Sequence, residues 1–384
     1  MAHLRWQALL AILGMVLLGT LLGYYAYNIS TVSEPDFGGT YVEGIAGQPN
    51  IVNPLYSHLN AVDHDLTALI FNGLTRVDES NTIQPDLSKA WSASGDGLIY
   101  TFTLRTDVKW SDGAPFEADD VLYTIHILQS PDYVGLPTVS NLWRTIAITA
   151  VNPSTVRFQL SEPFAPFLEF TSIGILPSHL LKNVGAAELL QSPFNRKPIG
   201  TGPFVLDELN SQHALLHVNP RYSGPHPYLS GIEFRFYPGW ESAFAAYGRN
   251  QIEGLAQIDT RSLTRARQTK TLTLYNAPLS GYSLVFLNLT RAPFNSKEVR
   301  QALLYATNRN SLVDDTLGGQ GIVATSPILR NSWAFDNAIP QYPYDPRQAD
   351  ALLTAAGWLT GTSGGPRLKN NAPLSFVLTA NSDD

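Results

Sequence analysis

The sequence predicts an α/β protein that follows a single N-terminal transmembrane helix, and three observations support this prediction. Residues 8–27 are almost all apolar and, at about 1.5 Å per residue, are long enough to cross a bilayer core of roughly 30 Å. Apolar and polar residues alternate over residues 98–105, which is the period of a half-buried strand. From Glu117 onward the apolar residues recur at helical spacing instead, so strand and helix patterns follow each other along one chain.

Composition limits the classes of function that the chain can have. Of its 384 residues 44% are hydrophobic, so the chain can bury a core large enough for two or three domains. The net charge is −7 and Lys and Arg are scattered singly through the soluble part, which argues against nucleic acid as a partner. Cysteine is absent, which excludes disulfides, thiolate metal ligands and cysteine nucleophiles.

The apolar segment, taken as residues 6–28, is expected to anchor the chain in a membrane. Arg5 is the last charged residue before Glu34, and its place on the short N-terminal side puts that end in the cytoplasm. A cleaved signal peptide is the alternative, but the segment is long for one, and Tyr-Ala-Tyr at residues 25–27 is a poor cleavage site. Either way the rest of the chain is expected in the periplasm or at the cell exterior.

Strand and helix patterns alternate through the rest of the chain. Strands are predicted at residues 40–45, 98–105, 147–160 (a hairpin), 212–218, 232–236, 252–258 and 282–289. Helices are predicted at residues 63–71 and 242–247 and from residues 117, 296 and 345. The last two helices have clear start signals, Ser296 as an N-cap and Asp345 followed by Pro346. Because residues 282–289 are apolar on both faces, we expect them to form a central strand.

Two groups of ionisable residues suggest metal sites at first, but structural roles explain them better. His58, Asp63, His64 and Asp65 fit a solvated loop leading into a helix better than they fit a nickel or zinc site. The acidic residues of segment 112–120 fit turn and helix-start positions, and their spacing does not match a calcium loop. No motif assembles a nucleophile, a base and an oxyanion site, so the sequence indicates no enzyme and no cofactor.

Residues 94–120, called the signature stretch below, are the most informative part of the sequence. They read as a turn, a half-buried strand, a second turn and a helix start. Further segments are Asn-Pro-Leu at 53–55, Gly-Thr-Gly-Pro-Phe at 200–204, Asn-Pro-Arg-Tyr at 219–222, Ala-Pro-Phe-Asn at 292–295, Val-Arg-Gln-Ala-Leu at 299–303, Tyr-Asp-Pro at 344–346 and Ala-Ala-Gly-Trp at 355–358. In this order, over about residues 37–358, they closely resemble the family 5 extracellular solute-binding proteins, the peptide- and nickel-capturing subunits of ABC importers.

The resemblance implies a two-lobed α/β fold of the periplasmic-binding-protein type, in the class with an extra small domain. It assigns residues 37–60 and 186–278 to lobe I, residues 61–185 to the extra domain II and residues 279–384 to lobe III. Family members continue for well over a hundred residues beyond the position of Asp384, so we expect a sequence truncated at its C-terminus. Glu117 stands where relatives often have Thr or Ser, so we expect a weaker helix start there.

The resemblance also implies a binding function without catalysis. It predicts an extracytoplasmic monomer that captures peptides by closure of its lobes and delivers them to an ABC permease in the membrane. Whether the solute is a di- or oligopeptide or nickel stays open. An exported hydrolase and a membrane-anchored solute sensor are the alternatives.

Seven residues are predicted to contact the ligand, because the resemblance places them at the cleft or at the crossings between lobes. Loop amides and tyrosine rings suit an extended peptide, which can be held as an added strand. The predicted residues are Gln48, Pro49, Asn50, Ala256, Gln257, Tyr282 and Ser283.

Overall fold

The computed structural model describes residues 2–30, 36–80, 82–276, 281–330, 332, 334–361 and 364–380. Its contacts divide the chain into two compact units, Met1–Gln257 and Ile258–Asp384, which are described separately below. The finer division into lobes I and III and domain II stays a prediction.

Helices and strands follow one another in short runs along the chain. The helices are α1 (Ala2–Ser30), α2 (Ala61–Ile70), α3 (Ala118–Gln129), α4 (Pro137–Arg144), α5 (Phe167–Phe170), α6 (Ser178–Leu181), α7 (Ala186–Leu189), α8 (Trp240–Gly248), α9 (Thr260–Gln268), α10 (Lys297–Ala306), α11 (Arg309–Leu317) and α12 (Pro346–Ala355). The strands are β1 (Thr40–Ala46), β2 (Thr75–Val77), β3 (Ile83–Pro85), β4 (Ser88–Ala93), β5 (Ile99–Leu104), β6 (Ala147–Asn152), β7 (Thr155–Gln159), β8 (Phe204–Leu209), β9 (His213–Val218), β10 (Gly231–Tyr237), β11 (Gly254–Leu255), β12 (Leu368–Lys369) and β13 (Ala372–Pro373).

The N-terminal helix α1 has the length and composition of a membrane span. Its segment Leu9–Tyr27 has a mean hydropathy of 2.0, and none of it is buried by the rest of the protein. Apolar side chains that no other part of the protein covers favour lipid over water, and a helix can enter lipid because its backbone groups bond to each other. Its use as an anchor or as a signal segment stays a prediction.

A five-stranded sheet forms the centre of the first unit, in the order β11-β1-β10-β9-β8. Strand β1 runs parallel to both β10 and β11, while β9 and β8 continue the sheet in antiparallel fashion. The predicted alternation in β10 is confirmed, since Ile232, Phe234 and Phe236 are buried. Helix α8 packs beside β1, β10 and β11, and α2 packs beside β8.

A second sheet in the first unit is antiparallel, in the order β4-β5-β7-β6, with α3 against β6 and β7. The predicted hairpin is confirmed, with β6 and β7 paired across the turn at residues 153–154. Aromatic side chains form the core between this sheet and the helices beside it. The ring of Phe158 lies 5.5 Å from Phe102, 5.4 Å from Phe167 and 6.0 Å from Trp143, at the tilted or edge-on angles that aromatic rings prefer.

The second unit is mainly helical in its described part, and its two best-marked helix starts are confirmed. The Ser296 hydroxyl accepts a hydrogen bond from Val299 N at 3.3 Å, ahead of α10. The Asp345 carboxylate accepts from Arg347 N and Gln348 N, both at 3.0 Å, ahead of α12. Helices α10 and α12 pack against each other.

Two strand predictions are wrong in extent or in kind. Residues 282–289 do not form a strand, and Phe286 within them is 90% exposed. A central strand needs a neighbour on each side, and the two strands described in this unit, β12 and β13, form a two-stranded sheet that does not include these residues. The strand predicted at residues 252–258 is limited to Gly254–Leu255, because β1 pairs with these two residues alone.

Candidate ligand-binding loops

Five of the predicted ligand residues lie at one edge of the five-stranded sheet. Because β1, β10 and β11 are parallel, their carboxyl ends reach the same edge, and residues 48–50 and 256–257 follow two of them. Backbone hydrogen bonds connect the residues at these strand ends: Gly47 N donates to Tyr237 O at 2.9 Å, and Ala256 N donates to Gly44 O at 3.1 Å. In open α/β sheets this edge is where ligands bind.

The start of α2 holds the loop formed by residues 47–51. The carboxylate of Asp63 accepts hydrogen bonds from Asn50 N at 2.8 Å and from Ile51 N at 3.1 Å. Asn60 caps the helix by accepting from Val62 N, and its side-chain amide donates to Gln48 O at 2.8 Å. These bonds fix the loop backbone before any ligand arrives, which lowers the ordering cost of binding.

The same loop leaves polar groups facing solvent. The Gln48 side-chain nitrogen donates to Ser211 O at 3.1 Å, so its carbonyl oxygen keeps accepting capacity. Asn50 is exposed, and within the described ranges its carboxamide has no hydrogen-bond partner. Pro49 between them is half-buried. The arrangement can donate to and accept from a peptide backbone.

The remaining two predicted ligand residues belong to the second unit. Tyr282 is 44% exposed and Ser283 is exposed, in the segment that forms no strand. Their roles, like those of the five loop residues, stay predictions.

The interpretation of Asp63 as part of a solvated loop is wrong. Its exposed fraction is 1%, and it sits in the first turn of α2, where its carboxylate bonds to the loop backbone. Burial raises its pKa, while the bonds from Ile51 N and Asn50 N act in the opposite direction. A hint of this role was present in the sequence, since an acid in the first turn of a helix suits backbone N–H donors. Among the described residues, no three His, Asp or Glu side chains gather as a metal site would require.

Glu43 is a half-buried carboxyl group on β1, in the strand that leads into the loop. Burial, with a further contribution from the charge of Asp65, raises its pKa to about 7. Sequence patterns did not single out Glu43, because its burial depends on tertiary packing around β1, which includes α8.

Asp120 organises the signature stretch. It is 2% exposed and accepts hydrogen bonds from Trp110 Nε1 at 3.1 Å, from Glu117 N at 3.0 Å and from the backbone and hydroxyl of Ser178, both at 2.7 Å. A buried carboxylate with four donors is structural. The expected weakness of the helix start at Glu117 is therefore offset by Asp120, three residues later.

Three of the characteristic sequence segments meet at the turn of the signature stretch. Ser111 N donates to Gly200 O at 2.9 Å, and Arg221 Nη1 donates to Ser111 O at 3.0 Å. The next residue, Asp112, lies 2.8 Å from His179 Nε2. Three segments that are far apart in sequence are thus joined by hydrogen bonds to the backbone of Ser111.

Thr201, in the segment at residues 200–204, belongs to a polar cluster with Asn72 and Asp86. The Thr201 hydroxyl donates to Asn72 Oδ1 at 3.1 Å, and Asn72 Nδ2 donates to Asp86 Oδ2 at 2.9 Å. Burial raises the pKa of Asp86 to about 6, against the opposing influence of Asn72, Arg76 and Arg105. The cluster thus holds a carboxylate that is costly to ionise.

Loops at the carboxyl edge of parallel strands, as found after β1 and β11, are where proteins with open α/β sheets bind small solutes. The family model of the bacterial extracellular solute-binding proteins, family 5 (middle part), matches residues 82–384, so the chain belongs to this family. The resemblance and the two-lobed α/β fold class stated from the sequence are confirmed.

Individual relatives agree with this assignment. The chain is 30% identical to the oligopeptide-binding protein AppA of Bacillus subtilis, over 91% of this chain and 65% of that protein. It is 28% identical to the dipeptide-binding protein of Escherichia coli, over 87% of this chain and 66% of that protein. The crystal structure of NikZ from Campylobacter jejuni with Ni(L-His) superposes with a TM-score of 0.70 at 31% identity, over 87% of this chain and 66% of that one. The chain therefore spans about two-thirds of the length of these relatives.

Proposed function

We propose that this chain is the extracytoplasmic solute-binding subunit of an ABC importer and that it captures di- or oligopeptides. Membership of family 5 supports solute binding, and two of the relatives above are named for oligopeptides and dipeptides. The bound peptide would be released unchanged to a membrane permease. The chain would act as a monomer held at the outer face of the membrane by α1.

The observation that carries the proposal is the preformed loop at the sheet edge. Asp63 and Asn60 hold its backbone, and the exposed carboxamide of Asn50 is left for a guest. A peptide offers one donor and one acceptor per residue, and a fixed polar edge can add it as a further strand. Such binding gives affinity with little dependence on the side chains of the peptide.

The seven predicted residues have distinct roles in this proposal. Gln48 and Asn50 bond to the peptide backbone, and Pro49 contacts its apolar atoms. Ala256 and Gln257, after β11, present the backbone and one amide from the neighbouring strand end. Closure of the second lobe would bring Tyr282 and Ser283 against the peptide, the ring supplying apolar area and the hydroxyls a polar contact.

Nickel in an organic chelate is the second candidate solute. A relative that is 30% identical over 86% of this chain is the nickel-binding periplasmic protein of Escherichia coli, and NikZ was solved with a nickel–histidine complex. A chelate of this kind has the carboxylates and amines of an amino acid, so the same loop amides could bind it.

Thermal unfolding of the purified chain in detergent micelles tests the proposal. A solute bound only by the folded state stabilises it by about 2.7 kcal/mol at 100 times its dissociation constant. We expect a higher melting temperature with dipeptides or a mixed oligopeptide pool, and mass spectrometry should recover the peptide uncut. Asn50→Ala should reduce the shift, whereas Asn337→Ala, at an exposed position of the second unit, should not.

The other outcomes separate the alternatives. A shift with nickel–histidine but not with peptides would replace the proposed solute. Cleaved peptide would favour an exported hydrolase. A loaded chain that binds a membrane partner other than a permease would favour a sensor, and no shift with any solute would contradict solute capture altogether.

A further inference from the structure

Helix α9 of the second unit and the turn that follows it carry an exposed basic surface, with Arg261 and Arg267 in the helix and Lys270 in the turn. Arg261, Arg267 and Lys270 are exposed, and within the described ranges none of the three takes part in an ion pair. Arg265 is exposed on the same helix. The opposite side of the helix is buried and consists of Ser262, Leu263 and Ala266.

The surroundings of α9 in the sequence are free of acidic residues. No Asp or Glu occurs from residue 260 to residue 297, a stretch that contains six Lys and Arg. Residues 1–257 have 13 Lys and Arg against 23 Asp and Glu, a net −10, while residues 258–384 have 12 against 9, a net +3. The overall charge of −7 hides this contrast, which is why composition alone indicated no basic patch.

We infer that the basic surface formed by α9 and the turn after it docks on the anionic surface of the membrane in which α1 is inserted. An exposed convex helix face suits a flat charged surface better than it suits a small solute, which needs a concave site. Lys and Arg side chains bind anionic lipid headgroups, with roughly 1 kcal/mol, or about fivefold, for each cation near the surface. Three cations then favour an anionic over a zwitterionic surface by on the order of 100-fold.

The tether makes such weak contacts effective. Nine residues separate Ser30, the end of α1, from Thr40, the start of β1, so these two ends lie at most roughly 34 Å apart. A covalent tether of this length makes lipid contact an intramolecular event. The inference relies on the proposed membrane anchoring but is independent of which solute is bound.

The absence of cysteine in the chain allows a single-label test. Thr264→Cys, at an exposed position of α9, carries a fluorophore, and the full chain is reconstituted in vesicles that contain nitroxide-labelled headgroup lipid. We expect strong quenching with 30% phosphatidylglycerol, little with phosphatidylcholine alone, and loss of quenching in 0.5 M salt, where charges are screened beyond about 4 Å. A label at the exposed Thr149 of β6 should be equally bright in all vesicles.

Charge variants complete the test. Replacing Arg261, Arg267 and Lys270 together by Gln should abolish the lipid-dependent quenching at residue 264. The matched control replaces Lys89, Lys109 and Lys182, which are exposed in the first unit, and should leave the quenching unchanged although the change in net charge is the same.

Three results would overturn the inference. The first is a chain that stays on the vesicles while residue 264 is unquenched, and the second is equal loss of quenching in both triple variants. The third is a response of the label to an acidic peptide but not to lipid, which would assign the cations to solute selection. A chain that fails to remain with the vesicles at any salt concentration would instead contradict the anchoring on which the inference depends.

Discussion

The buried carboxyl group of Asp86 gives a pH dependence that can be calculated. Burial raises its pKa in the folded chain to about 6, from 3.8 in an unfolded one. An acid with a raised folded pKa binds its proton more tightly in the folded state, so its ionisation lowers stability as the pH rises from about 4 to 7. Asp86→Asn keeps an oxygen that accepts from Asn72 and removes the ionisation.

The size of the effect follows from the two pKa values. Each unit of pKa difference corresponds to 1.36 kcal/mol, so ionisation costs the folded state about 3 kcal/mol at high pH. The cost is only partly present at pH 4.5 and nearly complete at pH 7.5. The stability of Asp86→Asn relative to the natural chain should therefore rise by about 2 kcal/mol between these pH values.

Urea unfolding at pH 4.5, 6.0 and 7.5, followed by tryptophan fluorescence, measures this difference. The control is Asp96→Asn, because Asp96 is exposed and the Ser94 hydroxyl holds its pKa below the usual value, outside this pH range. Its effect on stability should be the same at all three pH values. A pH-independent difference for Asp86→Asn, or one that falls with rising pH, would refute the assigned environment of Asp86.

Three further substitutions test the site and its support. Asp120→Ala leaves one buried and three half-buried donors without their acceptor and should cost about 3–5 kcal/mol in urea unfolding. The exposed Asp119→Ala should cost under about 0.5 kcal/mol, and similar losses for the two variants would contradict the structural role of Asp120. Asp63→Ala should cost about 2 kcal/mol and speed amide hydrogen exchange at residues 50 and 51, and unchanged exchange there would show that the loop is held otherwise. Gly200→Ala puts a methyl group against the backbone of Ile70 in α2 and should lower the free energy of unfolding by about 1–3 kcal/mol or more. Gly95→Ala, with open space around it, should change the free energy of unfolding by less than about 0.5 kcal/mol. Equal effects of the two substitutions would contradict the packing of Gly200 against α2.

Local signals in the sequence predicted most of the secondary structure. The hairpin at residues 147–160 and the helix starts at Ser296 and Asp345 depend on neighbouring residues only, and all three are confirmed. The apolar segment at residues 282–289 shows where such signals fail. Its pattern predicts a strand, but a strand forms only where another one pairs with it, and that depends on residues far along the chain.

The candidate site was predicted to a smaller degree. The resemblance pointed to residues 48–50 and 256–257, and the parallel pairing of β1 with β11 brings both loops to one sheet edge. The groups that fix the first loop were missed, because Asp63 looks like a solvent-exposed acid until the packing of α2 is known. The raised pKa of Glu43 was missed for the same reason, since burial is a property of the tertiary fold.

The most direct test of the account asks whether the two units move around a guest that leaves intact. Fluorophores on Thr149→Cys and Asn337→Cys, the only cysteines in the chain, report the separation of the first and second units by energy transfer. We predict that a bound peptide changes the transfer efficiency, that dilution reverses the change, and that the peptide is recovered with its mass unaltered. An efficiency that is constant for every peptide and nickel chelate offered, or recovery of a cleaved peptide, would contradict capture by closure.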